Sequence, residues 1–484
     1  MLDAINTNII SLQTQNNLSN SQSSLATSIQ RLSSGLKINS AMDDPAGLAI
    51  ASRMTSQVNG LNQATQNANN GVSMLQTADG GLANTTSLLQ SMRTLAVEAA
   101  NGTNSASDLA SLQTEIGQLQ QQITQVSSQT QYNGTNLLNG SLSNVQFQVG
   151  ANAGQTISFG IASSSGSVLG NNTLVADDTS TTAMTQAVTG AANAYAGSTI
   201  TVEGSTASTL GGALAAGTSA SGVAAAVNKY TNVTGVTATA TTTATLGVFT
   251  AGTQSLSING TAISASISNT TSGMDGLAAA INAATGSTGV TAIANDTNGT
   301  IALTNSSGAN ISMRNNNAAT AVTLTGATGA GVAVAAAATG TVGGLVTFNS
   351  NNSFAVQDSL GTGVLNATTP IGSSLNSVAA INLSTTSNGT PTGANSALLT
   401  IDAAIQSVNT SRANLGALEN RFTASISNLQ TSTLNLTSSL STVQDTNFAS
   451  ETANLSRGQI LQQAGTAMLA QANSLPNGVL ALLR

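Results

Sequence analysis

Few side chains in this chain could carry out acid–base or nucleophilic chemistry, and several of them lie in one short stretch. The whole chain of 484 residues has only ten basic and 17 acidic residues. Residues 30–51, QRLSSGLKINSAMDDPAGLAIA, contain Arg31, Lys37, Asp43 and Asp44. Carboxylate-only or Ser–Lys chemistry would need such groups, but the only lysines are Lys37 and Lys229. Without His or Cys, the sequence predicts no thiol nucleophile, Ser-His-Asp triad, disulfide or zinc site of the usual ligands. We therefore predict that the protein is not an enzyme and holds no cofactor.

The overall composition limits the kinds of core and partner. The length predicts roughly three domains. Only 2% of the residues are aromatic and 6% are charged, and much of the apolar fraction is Ala, which favours long helical packing and thin β modules. A net charge of -7 with ten basic residues predicts no binding to nucleic acid or to an anionic membrane. The sequence shows no secretory signal and no run near the ~18 apolar residues of a membrane span. We expect a cytosolic protein, or one that leaves the cell by a route without such a signal.

Both ends of the chain carry seven-residue apolar repeats. Residues 58–89 and 109–126 have apolar or small residues at alternating steps of three and four. In the C-terminal region one row, here named the rod seam, recurs without interruption: Ile401, Val408, Leu415, Phe422, Leu429, Leu436 and Val443. Sustained repeats of this kind are typical of coiled coils. Because unpartnered seams would face water, we predict that the two ends of the chain pack together as a helical rod.

The outermost segments carry thinner apolar stripes and apolar termini. The residues concerned are Ile5, Ile9, Leu12, Met468, Leu469, Val479, Leu480, Leu482 and Leu483. Chain termini normally fray, but an apolar terminus with almost no charge is costly to leave in water. We therefore predict that these residues contact a partner during assembly.

Residues between about 150 and 395 differ in character and are dominated by Gly, Thr, Ser, Ala and Asn. VQFQVG (145–150) and TISFGI (156–161) alternate as the strands of a hairpin do. The segment GVAAAVNKYTNVTGVTATA (222–240) recurs as GLAAAINAATGSTGVTAIA (276–294), which predicts two similar modules, each with a short helix followed by a strand. The alternative, a disordered linker, is disfavoured by the regular alternation of β-branched residues.

The stretch 30–51 has the local features of a connector between two helices. Gly35 suits the left-handed residue that ends a helix. Asp44 and Pro45 suit the N-cap and the first position of the next helix, and Asp43 and Asp44 would lie at the positive end of its dipole. The charges therefore mark a solvated hinge, and contacts with neighbouring subunits are a further hypothesis for them.

These residues resemble the bacterial flagellins. The family pattern is followed by the stretch 30–51 and by INTNI (5–9), LAVEAANGT (95–103), SSQTQYNGTNLLNG (127–140), FQVGANAGQTISF (147–159), ALENRF (417–422), DTNFASETANLSRGQILQQAGTAMLAQAN (445–473) and the final LLR. The resemblance covers about 150 residues at the start and about 90 at the end. It does not extend to the middle, where only SING (257–260) resembles a short motif of hook and filament proteins.

Together with the repeats, the resemblance implies an α+β multidomain fold. Both termini would form a long coiled-coil-like helical rod, and the middle would be a β-rich variable region that contains two similar small modules. We expect an inner terminal coiled-coil domain, a helical rod domain with a β-hairpin, and an outer β-rich region at residues 1–42 with 455–484, 43–165 with 393–454, and 166–392. The two modules are expected at about 190–250 and 251–310.

The resemblance also implies a function and a set of partners. A flagellin is exported unfolded by the flagellar type III apparatus and self-assembles into the extracellular filament that serves swimming motility. The implied partners are other copies of the chain, the filament cap protein, the hook–filament junction protein, an export chaperone, and plant and animal innate immune receptors. No nucleic acid and no membrane insertion are expected.

The stretch 30–51 resembles the flagellin segment that plant immune receptors detect. Its candidate contact residues are Gln30, Arg31, Leu32, Gly35, Lys37, Asn39, Asp43, Asp44, Gly47 and Leu48. The familiar epitope has Arg, Lys, Ala and Gln where this chain has Lys37, Met42, Pro45 and Ala49. The loss of one positive charge at Met42 predicts a change in potency.

Arg93, Leu95 and Glu115 match positions that the animal Toll-like receptor for flagellin contacts. Ser91 and Leu119 stand where strongly detected flagellins carry Arg. For Arg93 and Glu115 the alternative interpretation is an ordinary solvated ion pair on the helical rod.

Other classes of protein remain to be weighed against a filament subunit. A hook–filament junction protein has a related fold and similar termini, and its copy number per filament would distinguish it. A surface adhesin would explain the middle region but not the two helical ends. A protease in the middle region would need a His-Glu-x-x-His zinc motif, which a chain without His lacks.

Overall fold

The computed structural model describes residues 7–176, 185–210, 212–268, 273–317, 320–360, 363–365, 368–385 and 392–482, with the backbone alone for 475–482. Its α-helices are α1 (Ile9–Ser34), α2 (Pro45–Ala99), α3 (Ala106–Gln129), α4 (Ala220–Asn228), α5 (Thr231–Thr234), α6 (Asp275–Ala283), α7 (Thr285–Thr288), α8 (Thr392–Gln444) and α9 (Phe448–Leu482). A short 3-10 helix covers Val378–Ala380.

The strands are short and lie mostly between α3 and α8. They are β1 (Gln131–Tyr132), β2 (Thr135–Asn136), β3 (Val145–Gln148), β4 (Thr156–Phe159), β5 (Gly170–Val175), β6 (Ala187–Thr189), β7 (Ile200–Glu203), β8 (Ala207–Thr209), β9 (Thr237–Gly247), β10 (Gly252–Ile258), β11 (Thr261–Ile267), β12 (Thr291–Asn295), β13 (Thr300–Asn305), β14 (Ile311–Asn315), β15 (Val322–Gly326), β16 (Val332–Val334), β17 (Thr339–Val342), β18 (Leu345–Ser350), β19 (Ala355–Asp358), β20 (Ile371–Gly372) and β21 (Ser374–Ser377). Helical ends that flank a β-rich middle confirm the predicted fold class.

The chain divides into two compact units. The terminal unit comprises Met1–Gln76, Asn144–Gly160 and Gly416–Arg484, and the central unit comprises Thr77–Ser143 and Ile161–Leu415. The terminal unit therefore holds α1, α9, the β3–β4 hairpin and parts of α2 and α8. The central unit holds α3, the rest of α2 and α8, and the remaining strands.

The predicted helical repeats form long helices whose apolar rows are buried. Helix α2 has 55 residues and α8 has 53. In the central unit Ile401, Val408 and Leu415 are buried, and in the terminal unit so are Phe422 and Leu429. The last two residues of the rod seam, Leu436 and Val443, are half-buried. Burial along one helix face is the pattern expected when seven-residue repeats pack on a partner helix.

All strand pairs of the described β region are antiparallel. A five-stranded sheet runs in the order β11-β10-β14-β17-β6, and a four-stranded sheet in the order β20-β19-β7-β8. The largest sheet runs in the order β12-β13-β9-β18-β5-β21. Outside this order, β15 pairs with β9 and also with β16. The hairpin predicted for 145–161 is confirmed, with Phe147 paired to Ile157 in register.

The repeated sequence folds as two copies of one helix–helix–strand unit. The first copy is α4-α5-β9 and the second is α6-α7-β12. Helices α4 and α6 pack in different hydrophobic cores, and β9 contributes to both cores. Both strands belong to the largest sheet, because β9 and β12 each pair with β13. The two copies therefore share one sheet rather than forming separate ones.

One side-chain amide ties each helix to its strand in the same way. Asn228 donates to the Ala238 carbonyl oxygen at 2.9 Å, and its own oxygen accepts the Ala238 N–H at 2.7 Å. In the second copy Asn282 makes the same pair of bonds with Ala292, at 2.8 and 2.7 Å. In this arrangement, here named the amide bracket, one side-chain amide pairs with both the N–H and the carbonyl oxygen of a strand residue. It thereby satisfies backbone groups that would otherwise be unpaired.

Candidate assembly interface

The two terminal helices, α1 and α9, pack against each other within the terminal unit. Their contact uses leucines of α1 on glycines of α9, seven residues apart in both helices. A Cβ added at Gly458 would lie 3.2 Å from Leu25 Cδ1, and one added at Gly465 would lie 3.0 Å from Leu18 Cδ1. Glycine in the middle of a helix is unfavourable by itself. These two glycines are explained by the close approach of the partner helix.

Polar groups at the start of α1 fix the ends of this helix pair. The Asn8 side chain caps α1 by accepting the Ser11 N–H at 3.0 Å, and it donates to the Ala472 carbonyl oxygen of α9 at 2.8 Å. The Ser11 hydroxyl donates to Asn473 at 2.6 Å. The cap thus serves both helices.

The helix pair leaves large apolar side chains in water. Eleven of the twenty exposed large hydrophobic residues lie in the terminal unit, which is the smaller part of the described chain: Ile9, Ile10, Leu12, Ile29, Met42, Ile50, Leu434, Phe448, Ile460, Leu461 and Met468. Clusters of exposed apolar residues mark interaction sites in soluble proteins. We name the eight of these residues on α1 and α9 the terminal apolar face.

Several predicted assembly residues belong to this face. Ile9, Leu12 and Met468 are 66%, 55% and 59% exposed, whereas Leu469 is half-buried. Ile5 and Leu483 lie outside the described residues. Val479, Leu480 and Leu482 lie in a part of α9 whose side chains are not described.

The connector between α1 and α2, residues 35–44, is attached to the connector between α8 and α9. Gly35 ends α1 in the left-handed region at a φ of 74°, as predicted. Its carbonyl oxygen accepts the Thr446 N–H at 2.9 Å, and the Lys37 N–H donates to the Gln444 carbonyl oxygen at 2.7 Å. An isolated antiparallel bridge joins Leu36 to Asp445. Sequence reasoning gave no signal for this pairing of two connectors.

The carboxylates of the connector hold its own backbone. Asp43 accepts bonds from Asn39 N at 3.2 Å and from Ser40 N and Oγ, both at 2.9 Å. These hydrogen bonds, those from Ser40 first, lower the pKa of Asp43. Arg31 lies 3.6 Å from the same carboxylate. The charges that the sequence concentrates here therefore shape the hinge from within.

The start of α2 has the predicted cap. Asp44 accepts the N–H groups of Ala46 at 3.1 Å and Gly47 at 2.9 Å. A Cβ at Gly47 would lie 2.6 Å from Ile38 Cδ1, so a larger residue here would have to displace the side chains of Ile38 and Asp44. Of the other candidate epitope residues, Gln30, Lys37 and Asn39 are exposed, and Leu32 and Leu48 are half-buried.

An aromatic cluster in the terminal unit surrounds Phe422 of the rod seam. Its ring meets those of Phe147 and Phe159 edge-on, with centroids 5.7 and 6.1 Å away, and these two hairpin rings stack at 5.7 Å. A Cβ at Gly71 of α2 would lie 2.9 Å from two atoms of the Phe422 ring. The sequence predicted Phe422 but missed the other three residues, although a glycine inside a long helix was a usable signal.

Two ion pairs link α2 and α8 within the central unit. Arg412 Nε lies 2.8 Å from Asp79 Oδ1, and Arg93 Nε lies 2.7 Å from Asp402 Oδ1. Because the carboxylates stabilise the charged guanidinium groups, the pKa values of Arg93 and Arg412 are raised. The alternative interpretation of Arg93 and Glu115 as a solvated pair is wrong for Arg93, whose partner is Asp402. Glu115 is exposed on α3.

The described residues were compared with the requirements of a metal site and of a membrane-spanning helix, and they meet neither. Within the described ranges, no group of three or more Asp or Glu side chains is placed to hold a metal ion. No helix in the described part of the chain is both long and apolar enough to cross a membrane.

The described chain thus has paired terminal helices with exposed apolar side chains, a β-rich middle and a short clamped hinge. Comparison with known proteins gives the family. Residues 5–143 match the bacterial flagellin N-terminal helical region, and residues 398–483 match the bacterial flagellin C-terminal helical region. The chain is 38% identical to the B-type flagellin of Pseudomonas aeruginosa over 99% of both chains. It is 36% identical to the flagellin of Salmonella typhimurium over the full length of both. The chain belongs to the bacterial flagellin family.

Among solved structures, FliC from Burkholderia pseudomallei is 21% identical, with 72% of this chain and 99% of that chain covered and a TM-score of 0.29. Membership of the flagellin family makes the protein a structural component of the bacterial flagellar filament, which is extracellular, and not an enzyme. Self-assembly into a filament follows from the same membership.

Proposed function

We propose that the terminal apolar face is the surface through which copies of this chain pack into the filament. The observation that carries the proposal is the exposure of its side chains, among them Ile9 at 66% and Ile460 at 64%. Burial of apolar surface contributes about 25 cal/mol per Å². The face is therefore a source of assembly free energy that the free chain does not use.

The charge pattern supports the same assignment. Helix α1 carries one charged residue, Arg31. Among the described side chains of α9, the only charged ones are Glu451 and Arg457. Low charge density limits repulsion when identical helices come together. Gly458 and Gly465 hold α1 on α9, and the eight side chains of the terminal apolar face stay exposed beside this contact.

A charge placed on the face tests the proposal. Ile460→Asp should raise the critical concentration for seeded polymerisation by at least about tenfold, because a carboxylate cannot be buried unpaired. Val233→Asp is the matched control, since Val233 is 48% exposed in α5 of the central unit and should polymerise normally. Sedimentation and electron microscopy of both variants give the result. Equal polymerisation of the two would refute the assignment, and a native chain that never polymerises under seeding would favour the junction role instead.

We further propose that the chain has the three domains expected from the sequence, each with its own role in the filament. Residues 1–42 with 455–484 form the inner assembly domain, 43–165 with 393–454 the helical domain, and 166–392 the outer variable region. Export through the flagellar type III apparatus, and contacts with an export chaperone, the cap protein and the junction protein, belong to the same proposal. It is supported by the family membership of both chain ends.

Recognition by immune receptors is proposed for two surfaces. In the stretch 30–51, Lys37 and Asn39 are exposed on the clamped hinge and available to a plant receptor. In the central unit Arg93 and Glu115 are exposed and Leu95 is half-buried, but a receptor must share the Arg93 guanidinium with Asp402.

Reporter-cell dose curves can test the animal-receptor surface. Ser91→Arg combined with Leu119→Arg should shift the curve to lower concentration, because Arg offers forked, charge-assisted hydrogen bonds. Ser87→Arg is the control for an added positive charge, because Ser87 is exposed on α2, the helix that also carries Ser91. If the control and the double variant behave alike, these positions are not receptor contacts in this chain.

A further inference from the structure

Four asparagines of the described chain stand in the same local sequence, Asn-Gly-Thr, at positions 101–103, 133–135, 259–261 and 298–300. Asparagine is a thermolabile residue, and before glycine its side-chain amide carbon is open to attack by the glycine nitrogen, because glycine has no Cβ to shield that atom. The sequence by itself therefore predicts similar reactivity at the four sites. The structure gives them different surroundings.

Asn259, in the turn between β10 and β11, has its side-chain amide held at both ends. The amide nitrogen donates to the Thr288 carbonyl oxygen at 2.8 Å, and the amide oxygen accepts the Ser312 N–H at 2.9 Å. Both hydrogen bonds must break before the amide carbon can reach the nitrogen of Gly260. Since each bond stabilises the resting position of the amide, we expect them to slow the reaction by at least about tenfold.

Asn298, in the loop 296–299 between β12 and β13, has no such restraint. Its side chain is exposed and makes no hydrogen bond within the described part of the chain. Gly299 is buried, yet its N–H has no hydrogen-bond partner among the described residues, which is a rare condition for a buried backbone donor. The bonds from the Asn298 N–H to the carbonyl and side-chain oxygens of Asn295 are long, both at 3.3 Å. Neither reacting atom is therefore held away from the other.

The other two sites lie between these extremes. The Asn101 side chain accepts one backbone N–H at 3.4 Å. Asn133 and Gly134 are the central residues of the turn between β1 and β2, with φ values of 48° and 77°. The paired strands close this turn directly on both sides, which leaves its backbone little freedom to rearrange. Asn298 is therefore the least restrained of the four asparagines.

We propose that Asn298 is a site of spontaneous covalent modification that converts it to isoaspartate. The Gly299 nitrogen forms a bond to the Asn298 Cγ atom, the bond from Cγ to Nδ2 breaks, and the proton of the Gly299 N–H leaves with the ammonia. Solvent water then opens the cyclic succinimide, mainly to isoaspartate and in part to aspartate, with no oxidation or reduction. Either product adds one carboxylate, so the net charge of a modified copy falls by one from -7 to -8. The site lies outside the terminal apolar face, and the proposal does not depend on the proposed function.

Peptide mass spectrometry of the full chain, aged at neutral and at mildly alkaline pH, tests the proposal. Asn259 is the internal control, because the two residues that follow it are the same as those that follow Asn298. In the folded chain Asn298 should exchange its NH2 for OH at least about tenfold faster than Asn259, and faster at the higher pH, because the attacking N–H must lose its proton. In urea the two rates should agree within about threefold, because unfolding removes the restraints on Asn259. Equal rates in the folded chain, or a reaction at Asn298 that occurs only in urea, would overturn the proposal.

The products and one substitution give a second, independent readout. Ring opening yields isoaspartate and aspartate peptides of equal mass, which chromatography separates, whereas direct hydrolysis of the amide would yield aspartate alone. Asn298→Gln should remove the modification from its peptide, because the longer side chain would have to close a larger ring, and should leave the rate at Asn259 unchanged. The substitution is at an exposed position, so the variant should fold. Aspartate as the only product, or modification of the variant peptide at the native rate, would also overturn the proposal.

Discussion

Replacement of Phe422 should destabilise the terminal unit more than any other single truncation in the rod seam. The ring is fully buried, meets two other aromatic rings edge-on and faces Gly71. Phe422→Ala leaves a cavity and should lower the free energy of unfolding by about 3–5 kcal/mol. Phe422→Leu keeps most of the apolar area but loses two aromatic pairs, each worth about 0.5–1.5 kcal/mol, and should cost about 1–3 kcal/mol.

Gly71 supplies a test of the packing itself. Gly71→Ala adds a Cβ at 2.9 Å from the Phe422 ring, and such overpacking should cost about 1–3 kcal/mol. In the Phe422→Leu background the added methyl has room, so the double variant should be at least about 1 kcal/mol more stable than the sum of the single effects predicts.

The assay is urea denaturation of the free chain, followed by far-ultraviolet circular dichroism, which reports mainly the long helices. Ser427→Ala, at an exposed position of the same helix, is the control and should change stability by no more than about 0.5 kcal/mol. A loss below about 1 kcal/mol for Phe422→Ala, or strictly additive effects of the Gly71 and Phe422 changes, would refute the reasoning.

Three further predictions concern polar contacts. The Asp79–Arg412 ion pair is more than a third exposed on both sides, so a double-mutant cycle with Leu at both positions should give a coupling of only about 0.2–1 kcal/mol that weakens in high salt; a salt-independent coupling would contradict this. Hydrogen bonds from the Ser105 hydroxyl and N–H lower the pKa of Asp108. The stability that this carboxylate adds to α3 is therefore present above its unfolded pKa of about 4. That stability is lost as the pH falls through the lower pKa of the folded state. Asp108→Asn should remove that acid-induced loss from hydrogen-exchange profiles of α3, and an unchanged profile would argue against the cap. Asn282→Ala breaks the bracket of the second module and should cost about 1–3 kcal/mol, detected as faster amide exchange in β12 than in β9.

Local signals in the sequence were enough for many single elements. Asp44 and Pro45 begin α2 because a carboxylate can accept the free N–H groups of a first turn and proline lacks one of them. Gly35 ends α1 because glycine enters the left-handed region without a steric cost. The repeat at 222–240 and 276–294 predicted two helix-and-strand copies, since similar local sequences bury similar faces.

What the sequence by itself determined about this protein is thus its helices, its hairpin, its repeated module and its family, all of which depend on spacing along the chain. Only the tertiary structure decided which distant residues meet: the clamp between the two connectors, the rings of Phe147 and Phe159 around Phe422, and the choice of Asp402 as the partner of Arg93. The physical reason is that these contacts depend on the register and approach of helices hundreds of residues apart. Packing of whole faces sets that register, and no short motif records it.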